Sequence, residues 1–295
     1  MKKLFIIDGN SLANRAFYAI PMLADSDGVY SNAVFGFVNC IIKLVLEHKP
    51  DYIVVAFDHA RKTFRNDIYD QYKATRKKMP EELAMQFPIL KNVLNAMNIK
   101  CIEQSGIEAD DIIGTIAKHS DCKNYIITGD RDSLQLIDDN TSVWLTQKGL
   151  SNIKEVSKSN IKELFGFTPS GVIDFKALAG DTSDNIPGVI GIGEKTAIDL
   201  LDKYGDINNL YKHIGDISSK TQQKLIDGKE NCYMSYELAT IKTDCEIDYN
   251  LEDFVYDFPF NYETRKYFEK YSFKILLKKD FLFKNDALIN KNVEI

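Results

Sequence analysis

Apolar positions in the first half of the chain follow two rhythms. Leu4-Phe5-Ile6-Ile7 and Tyr52-Ile53-Val54-Val55-Ala56-Phe57 are short and almost continuously apolar, as expected of strands buried on both faces. Between them, residues 32–47 place Val34, Phe35, Val38, Ile41, Ile42, Val45 and Leu46 at helical spacing. Residues 99–102, 125–128 and 142–145 predict further strands, separated by helical 109–118 and 133–137. Such alternation predicts an α/β domain over residues 1–150, with a mostly parallel central sheet flanked by helices. A polar, charged segment at 61–82 interrupts it, and insertions of this length within a compact domain are usually functional or disordered. After Ser151 strand signals largely vanish, and 160–165, 172–179, 195–203 and 219–226 read as short helices. Residues 151–283 are therefore expected to form a helical subdomain, and 284–295 a frayed tail.

Composition narrows the class. With 295 residues, 44% of them hydrophobic, the chain can bury a sizeable core. The apolar run after Lys2-Lys3 is too short for a signal peptide and ends in Asp8, and no later stretch is long enough to span a bilayer, so a cytoplasmic protein is expected. Five scattered cysteines without a Cys-x-x-Cys pair argue for reduced thiols rather than zinc or redox chemistry. The net charge of −6 taken alone argues against a nucleic-acid binder. Its distribution argues the other way: residues 61–78 hold seven basic residues against two acids, a local excess of +5. Phe64, Tyr69 and Tyr72 lie among those cations, the mixture expected where phosphates and exposed bases are both contacted.

The acids are concentrated where predicted strands or turns end. Asp8 closes the first apolar run and Asp58 the second, Glu108, Asp110 and Asp111 open a predicted helix, Asp130 and Asp132 follow Tyr125–Thr128, and Asp181 and Asp184 share a turn. Taken singly, each also fits a structural role, as a helix cap, a turn residue or an acid at the positive end of a helix dipole. Taken together, they place nine carboxylates at the edge where parallel sheets bind ligands, and their repulsion calls for cations. Oxygen donors without His or Cys select hard divalent ions, Mg²⁺ or Mn²⁺. Two such ions about 4 Å apart suit phosphodiester hydrolysis.

A second constellation is Gly188-Val189-Ile190-Gly191-Ile192-Gly193-Glu194-Lys195-Thr196-Ala197. It fits neither a dinucleotide-binding nor a Walker pattern, because the third glycine of the first and the leading glycine of the second are missing. It reads either as a tight helix-turn-helix without a ligand or, beside a metal site, as a helical hairpin over about 184–204 that grips a nucleic-acid backbone through its amides.

With Ile7–Ser11, Ala56–Asp58, Thr63–Arg65, Tyr72–Arg76, Gly106–Asp111, Thr128–Asp132 and Gly180–Ala197, the chain resembles the 5′-nuclease or flap endonuclease superfamily. The resemblance covers roughly residues 1–283 and is in particular to the 5′→3′ exonuclease domains at the amino end of bacterial DNA polymerases I. It implies a PIN-like 5′-nuclease fold with a helical arch at 61–82 and a carboxyl-terminal helix-turn-helix subdomain. Asp8, Asp58, Glu108 and Asp110, with Asp111 beside them, are implied to surround one metal, and Asp130, Asp132 and Asp184, with Asp181 close by, the other. It further implies that Lys73 and Arg76 stabilise the reacting phosphate, and that Arg15, Arg65 and Tyr72 contact the strand. Gly188, Gly191, Gly193, Lys195 and Thr196 are implied to hold duplex DNA, with K⁺ at the hairpin. The expected activity is metal-dependent removal of 5′ flaps and 5′ strands, RNA primers included, during replication and repair. No polymerase region follows within the sequence, so a stand-alone monomeric nuclease or a separately expressed domain, working with a separate polymerase, is expected. The competing readings are a catalytically silent DNA-binding accessory factor and a PIN-like ribonuclease. The full acid set counts against the first, and the hairpin and long basic segment against the second.

Overall fold

The computed structural model describes residues 1–25, 28–59, 62–147 and 152–284. Six strands, β1 (Lys3–Asp8), β2 (Tyr52–Ala56), β3 (Lys100–Ile102), β4 (Lys123–Thr128), β5 (Thr141–Thr146) and β6 (Ile153–Val156), form one sheet in the order β3-β2-β1-β4-β5-β6. All neighbours are parallel except β5 and β6. Because the chain winds from β1 through β2 to β3 on one side and continues through β4 and β5 on the other, the order reverses between β1 and β4. A crevice opens at the carboxyl ends of those two strands.

The near-continuous apolar runs bury both sheet faces, as their composition predicts. Phe5, Ile7, Ile53 and Val55 point into one core, closed by α2 (Asn32–His48) behind α1 (Gly9–Ala19). Leu4, Ile6, Tyr52 and Val54 point into the other. β6 corrects the expectation that strands end near residue 151. It is a short antiparallel edge strand with one fully buried position, so it lacks the apolar run that betrays an inner strand.

Over its described residues, 62–82, the segment expected to form a helical arch is not one continuous helix. It holds α3 (Phe64–Ile68), a string of turns, and the start of α4 (Glu81–Ala84), which leads into α5 (Gln86–Ala96). Its middle lies down on the protein, where Tyr72 packs with Ile186, Leu238 and Ala239. After β3, α6 (Ala109–His119) covers the second core. The predicted helix at 133–137 is a 3₁₀ turn over Asp132–Leu136.

The helical part contains α7 (Ile161–Phe165), α8 (Gly171–Ala179), α9 (Glu194–Tyr204), α10 (Ile207–Lys212), α11 (Ser219–Asp227) and α12 (Lys229–Ala239), with its own core centred on Leu178, Leu201 and Leu210. The chain then returns. α13 (Tyr262–Lys270) and α14 (Lys274–Leu277) place Phe268, Phe273 and Leu276 in the core beneath α2 and α5, and Phe260 pairs with Phe283 beside them. The expected tail at 284–295 lies, apart from Lys284, outside the described residues. No helix among the described residues is long and apolar enough to cross a membrane.

One buried acid makes a stability prediction. Asp174 on α8 accepts from the Ile207 N–H at 3.1 Å, and burial pushes its carboxyl up from 3.8 to about 6. The folded value lies above the unfolded one, so the ionised form opposes folding. That penalty is absent below about pH 3.8 and complete above about pH 6. Asp174→Asn, whose carbonyl can still accept from Ile207, should raise stability at pH 8 by roughly 2 kcal/mol. The gain should fade as pH falls toward 4, as paired thermal melts across that range would show.

Candidate active site

The sheet topology carries the acids to one place. Asp8 is the last residue of β1 and caps α1, accepting from the Ser11 N–H at 2.9 Å. Across the switch point, Thr128 at the end of β4 donates to its other oxygen at 2.7 Å. Asp58 follows β2 and accepts from the Ala109 N–H at 2.8 Å, which ties it to the first turn of α6 and so to Glu108 and Asp110. Beyond β4, the loop is folded on itself. The Asp130 N–H donates to Thr128 Oγ1, and the Asp132 N–H to Asp130 Oδ1, each at 3.0 Å. Asp181 and Asp184 come from the turn after α8, which is closed by mutual hydrogen bonds of Asp181 and Ile186. Asp8, Asp58, Asp110, Asp130, Asp132 and Asp181 border one open cleft of about 1050 Å³, which Arg15, Lys73 and Arg76 also line, while Glu108 and Asp184 stand behind Lys73 and Arg76 as their partners.

The electrostatics of the cleft explain why it suits cations. Burial, together with Asp58 and Asp130, pushes Asp8 up to about 6 against the stabilising bonds from Ser11 and Thr128. Asp110 is held well above the usual carboxylate range by burial and by Asp130 and Asp8. Burial raises Asp132 to about 7 although Lys176 opposes it. Buried hard oxygen donors that resist their own ionisation form a donor set that fits divalent ions of the Mg²⁺ type. No three acids close around a single point among the described residues. Basic side chains hold several of them instead. Lys73 Nζ donates to Glu108 Oε2 at 2.9 Å, Arg76 Nη2 to Asp184 Oδ1 at 2.5 Å, and Lys176 Nζ to both Asp132 and Asp181. Burial pulls the Lys73 ammonium down, but Glu108 and Asp184 more than offset it, so it stays charged.

Three predicted assignments are corrected. Asp111 does not face the cleft: it forms a two-pronged pair with Arg65, both bonds 2.8 Å, and the two are 1% and 2% exposed. Arg65, expected on DNA, spends its remaining donors on Leu238 O and Thr240 O. Tyr72 is likewise buried, its hydroxyl donating toward Glu108 and Asp184 at 3.2 and 3.3 Å, so it presents no ring to a strand in this arrangement. In each case a basic or aromatic residue in a charged segment looked solvent-facing, while its partner lay distant in sequence. Lys176 was missed. The signal was available, since it is a lone cation in the apolar run of α8, five residues before Asp181.

At the hairpin the glycines divide. Gly188, with φ +61°, is buried. A Cβ there would come within 2.3 Å of Gly180 N, so this glycine serves the close approach of two turns rather than a ligand. Gly191, Gly193 and Lys195 are exposed and Thr196 half-buried, with Gly193 capping α9 and open space around it. Lys224 Nζ already donates to Gly191 O at 2.8 Å, which seats a built-in cation on a carbonyl of the turn where K⁺ was expected.

Comparison with known proteins bears on both halves. A family described as "5'-3' exonuclease, N-terminal resolvase-like domain" matches residues 3–166, and one described as "5'-3' exonuclease, C-terminal SAM fold" matches 167–261. DNA polymerase I of Bacillus subtilis (strain 168) is 43% identical over 259 residues, covering 86% of this chain and 29% of that protein. DNA polymerase I of Caldicellulosiruptor bescii is 41% identical over 284 residues, covering 95% and 32%. The chain thus spans about a third of the length of these relatives. Among solved structures, a T5 5'-exonuclease with bound zinc is 23% identical, with a TM-score of 0.67 over 82% of this chain and 90% of that one. The catalytic core of Rad2 in complex with DNA substrate is 17% identical, with a TM-score of 0.61 over 94% and 92%. At these identities the structural likeness concerns the fold.

Proposed function

The chain belongs to the 5′-3′ exonuclease family, and from that premise we propose that it hydrolyses phosphodiesters near 5′ ends of DNA, removing flaps and 5′ strands, RNA primers included. The observation that carries this reading is the meeting of acids from β1, β2, α6, the loop after β4 and the turn after α8 in one cleft, with Lys73 and Arg76 set against them. Asp8, Asp58, Glu108 and Asp110 would hold one divalent cation, and Asp130, Asp132, Asp181 and Asp184 the other, with Mg²⁺ or Mn²⁺ suited to the oxygen donors. Ions bound there supply water activation and stabilisation of the leaving oxygen.

The protein's own groups do the rest. Lys73 and Arg76 exchange their carboxylate partners for phosphate oxygens when a strand enters, which keeps their charge where negative charge develops. Arg15, hydrogen-bonded to Gly129 O and Gln147 O, also lines the cleft and steers the strand. The α8–α9 hairpin holds the duplex backbone without reading bases. Substrates are accordingly 5′ flaps, nicks and 5′ ends, and the process served is strand completion behind a DNA polymerase. End-labelled flap, nicked and single-stranded substrates, incubated with and without Mg²⁺, test the reading. Cutting near the flap base that requires the metal is expected, whereas binding without cleavage under any divalent ion would leave only a DNA-binding factor.

The hairpin carries its own prediction. Gly191→Val would be a poor probe, because φ is +81° there and a branched side chain is strained whatever binds. Gly193→Ala adds a methyl into open space, so it should leave the melting temperature unchanged while weakening duplex binding across all sequences. Lys195→Ala should lower the slope of log affinity against log salt by about one if one phosphate contact is lost. Fluorescence anisotropy from 50 to 300 mM salt, as an order-of-magnitude range, measures both. Wild-type affinity in both variants would reduce the hairpin to a structural turn.

A further inference from the structure

The segment that leaves α12 is gripped residue by residue. Leu238 O accepts from Arg65 Nε at 2.9 Å, Ala239 O from Gln135 Nε2 at 3.0 Å, and Thr240 O from Arg65 Nη2 at 2.8 Å. The Ile241 N–H then donates to Gln135 Oε1 and the Lys242 N–H to Asp111 Oδ1, both at 2.9 Å. Five consecutive residues are thus held by three side chains, and those side chains stand directly behind acids proposed to hold metal. Arg65 and Asp111 stand beside Glu108 and Asp110, and Gln135 Nε2 also donates to the main-chain oxygen of Asp132 at 3.0 Å. α6 accepts the segment closely because Gly114 faces Ile241, where a Cβ would come within 2.7 Å.

The other end of the same connection reaches the hairpin. One turn before Leu238, the fully buried Ser235 on α12 accepts from the Gly188 N–H at 3.0 Å. The turn proposed to hold duplex and the two acid groups proposed to hold metal are therefore joined through a single helical turn and a strap whose backbone is bonded at every residue. A buried ion pair such as Arg65–Asp111 is weak support for stability but well suited to fixing one arrangement over its neighbours.

We propose that residues 238–242, clamped by Arg65, Gln135 and Asp111, set the register between the duplex grip and the cleft, and so decide which phosphodiester is cut. Arg65, Gln135 and Asp111 are positioning residues in this scheme, acting through the strap and not on the substrate. The inference rests on the nuclease reading above and adds to it a determinant of cleavage position.

Two variants test it. Gln135→Leu removes the grip on Ala239 and Ile241 without altering charge, and Arg65→Lys removes the fork while keeping the charge. On a 5′-flap substrate with Mg²⁺, wild type is expected to cut at one main position. In the variants the products should spread to neighbouring phosphodiesters, and the single-turnover rate should fall on the order of 10- to 100-fold. Duplex affinity should hold to within about threefold, since the hairpin surface is untouched. Hydrogen exchange at the Ile241 and Lys242 amides, read on the same folded samples, reports strap release independently of activity. Faster exchange with a dispersed product pattern supports the proposal. Faster exchange with an unchanged cut position overturns it, as does unchanged exchange, or a rate loss that merely follows lost folding or lost duplex binding. A wild-type protein that cuts no flap under any divalent ion would instead refute the nuclease reading, and strap release would then govern no cut.

Discussion

Asp130→Asn is expected to lower single-turnover cleavage of a 5′ flap by roughly a thousandfold or more, corresponding to several kcal/mol of lost transition-state stabilisation. The substitution is close to isosteric, and its carbonyl can still accept from the Asp132 N–H, so the folded loop after β4 should persist. What changes is the charge at the centre of the acid group, where Asp130 lies near enough to Asp8, Asp110 and Asp132 to raise all three. Removing it should weaken divalent binding while sparing the hairpin, so flap-DNA affinity should stay within a few-fold of wild type. Rapid-quench kinetics over a Mg²⁺ titration, alongside anisotropy binding, separates the two effects. Wild-type turnover in this variant would remove Asp130 from the mechanism.

Lys73→Ala should be the second largest loss, roughly a hundredfold in the chemical step with a much smaller change in binding, because a cation that meets charge developing on phosphate acts mainly in the transition state. The backbone supports a dedicated placement. Lys73 adopts φ +58°, unusual for a residue with a long side chain, and its N–H is fixed to Asp184 O at 2.8 Å. That geometry directs the ammonium to Glu108, with Lys73 itself lining the cleft. If affinity falls and the single-turnover rate does not, Lys73 is only a backbone anchor.

Much of this arrangement was legible in the chain because it is local. Strands buried on both faces announce themselves as apolar runs, and an acid that ends such a run is carried to the sheet edge by the topology alone. Asp8, Asp58 and Asp130 needed nothing more, whereas Asp110 sits in the first turn of α6 and Asp184 in a turn of the helical part. The misplaced side chains fail through long-range contacts. Arg65 and Asp111 are 46 positions apart, Tyr72 and Asp184 are 112 apart, and no periodicity marks residues that meet by burial. β6 was hidden for a different reason: an edge strand covered on one side has no continuous apolar signature. Gly188 shows a third limit, since a glycine required by the approach of Gly180 looks in sequence like one that receives a phosphate.

The return of residues 260–283 to the first core has a consequence in time. Phe268, Phe273 and Leu276 are fully or almost fully buried against residues of α2 and α5, encoded far earlier in the chain, and the helical unit lies between them in sequence. During synthesis the amino-terminal sheet emerges first but lacks the aromatic residues that seal the face beneath α2 and α5. The unit centred on α8 to α12 has its own core and can settle before that seal arrives. The face beneath α2 and α5 can therefore close only once residues 260–283 have been made.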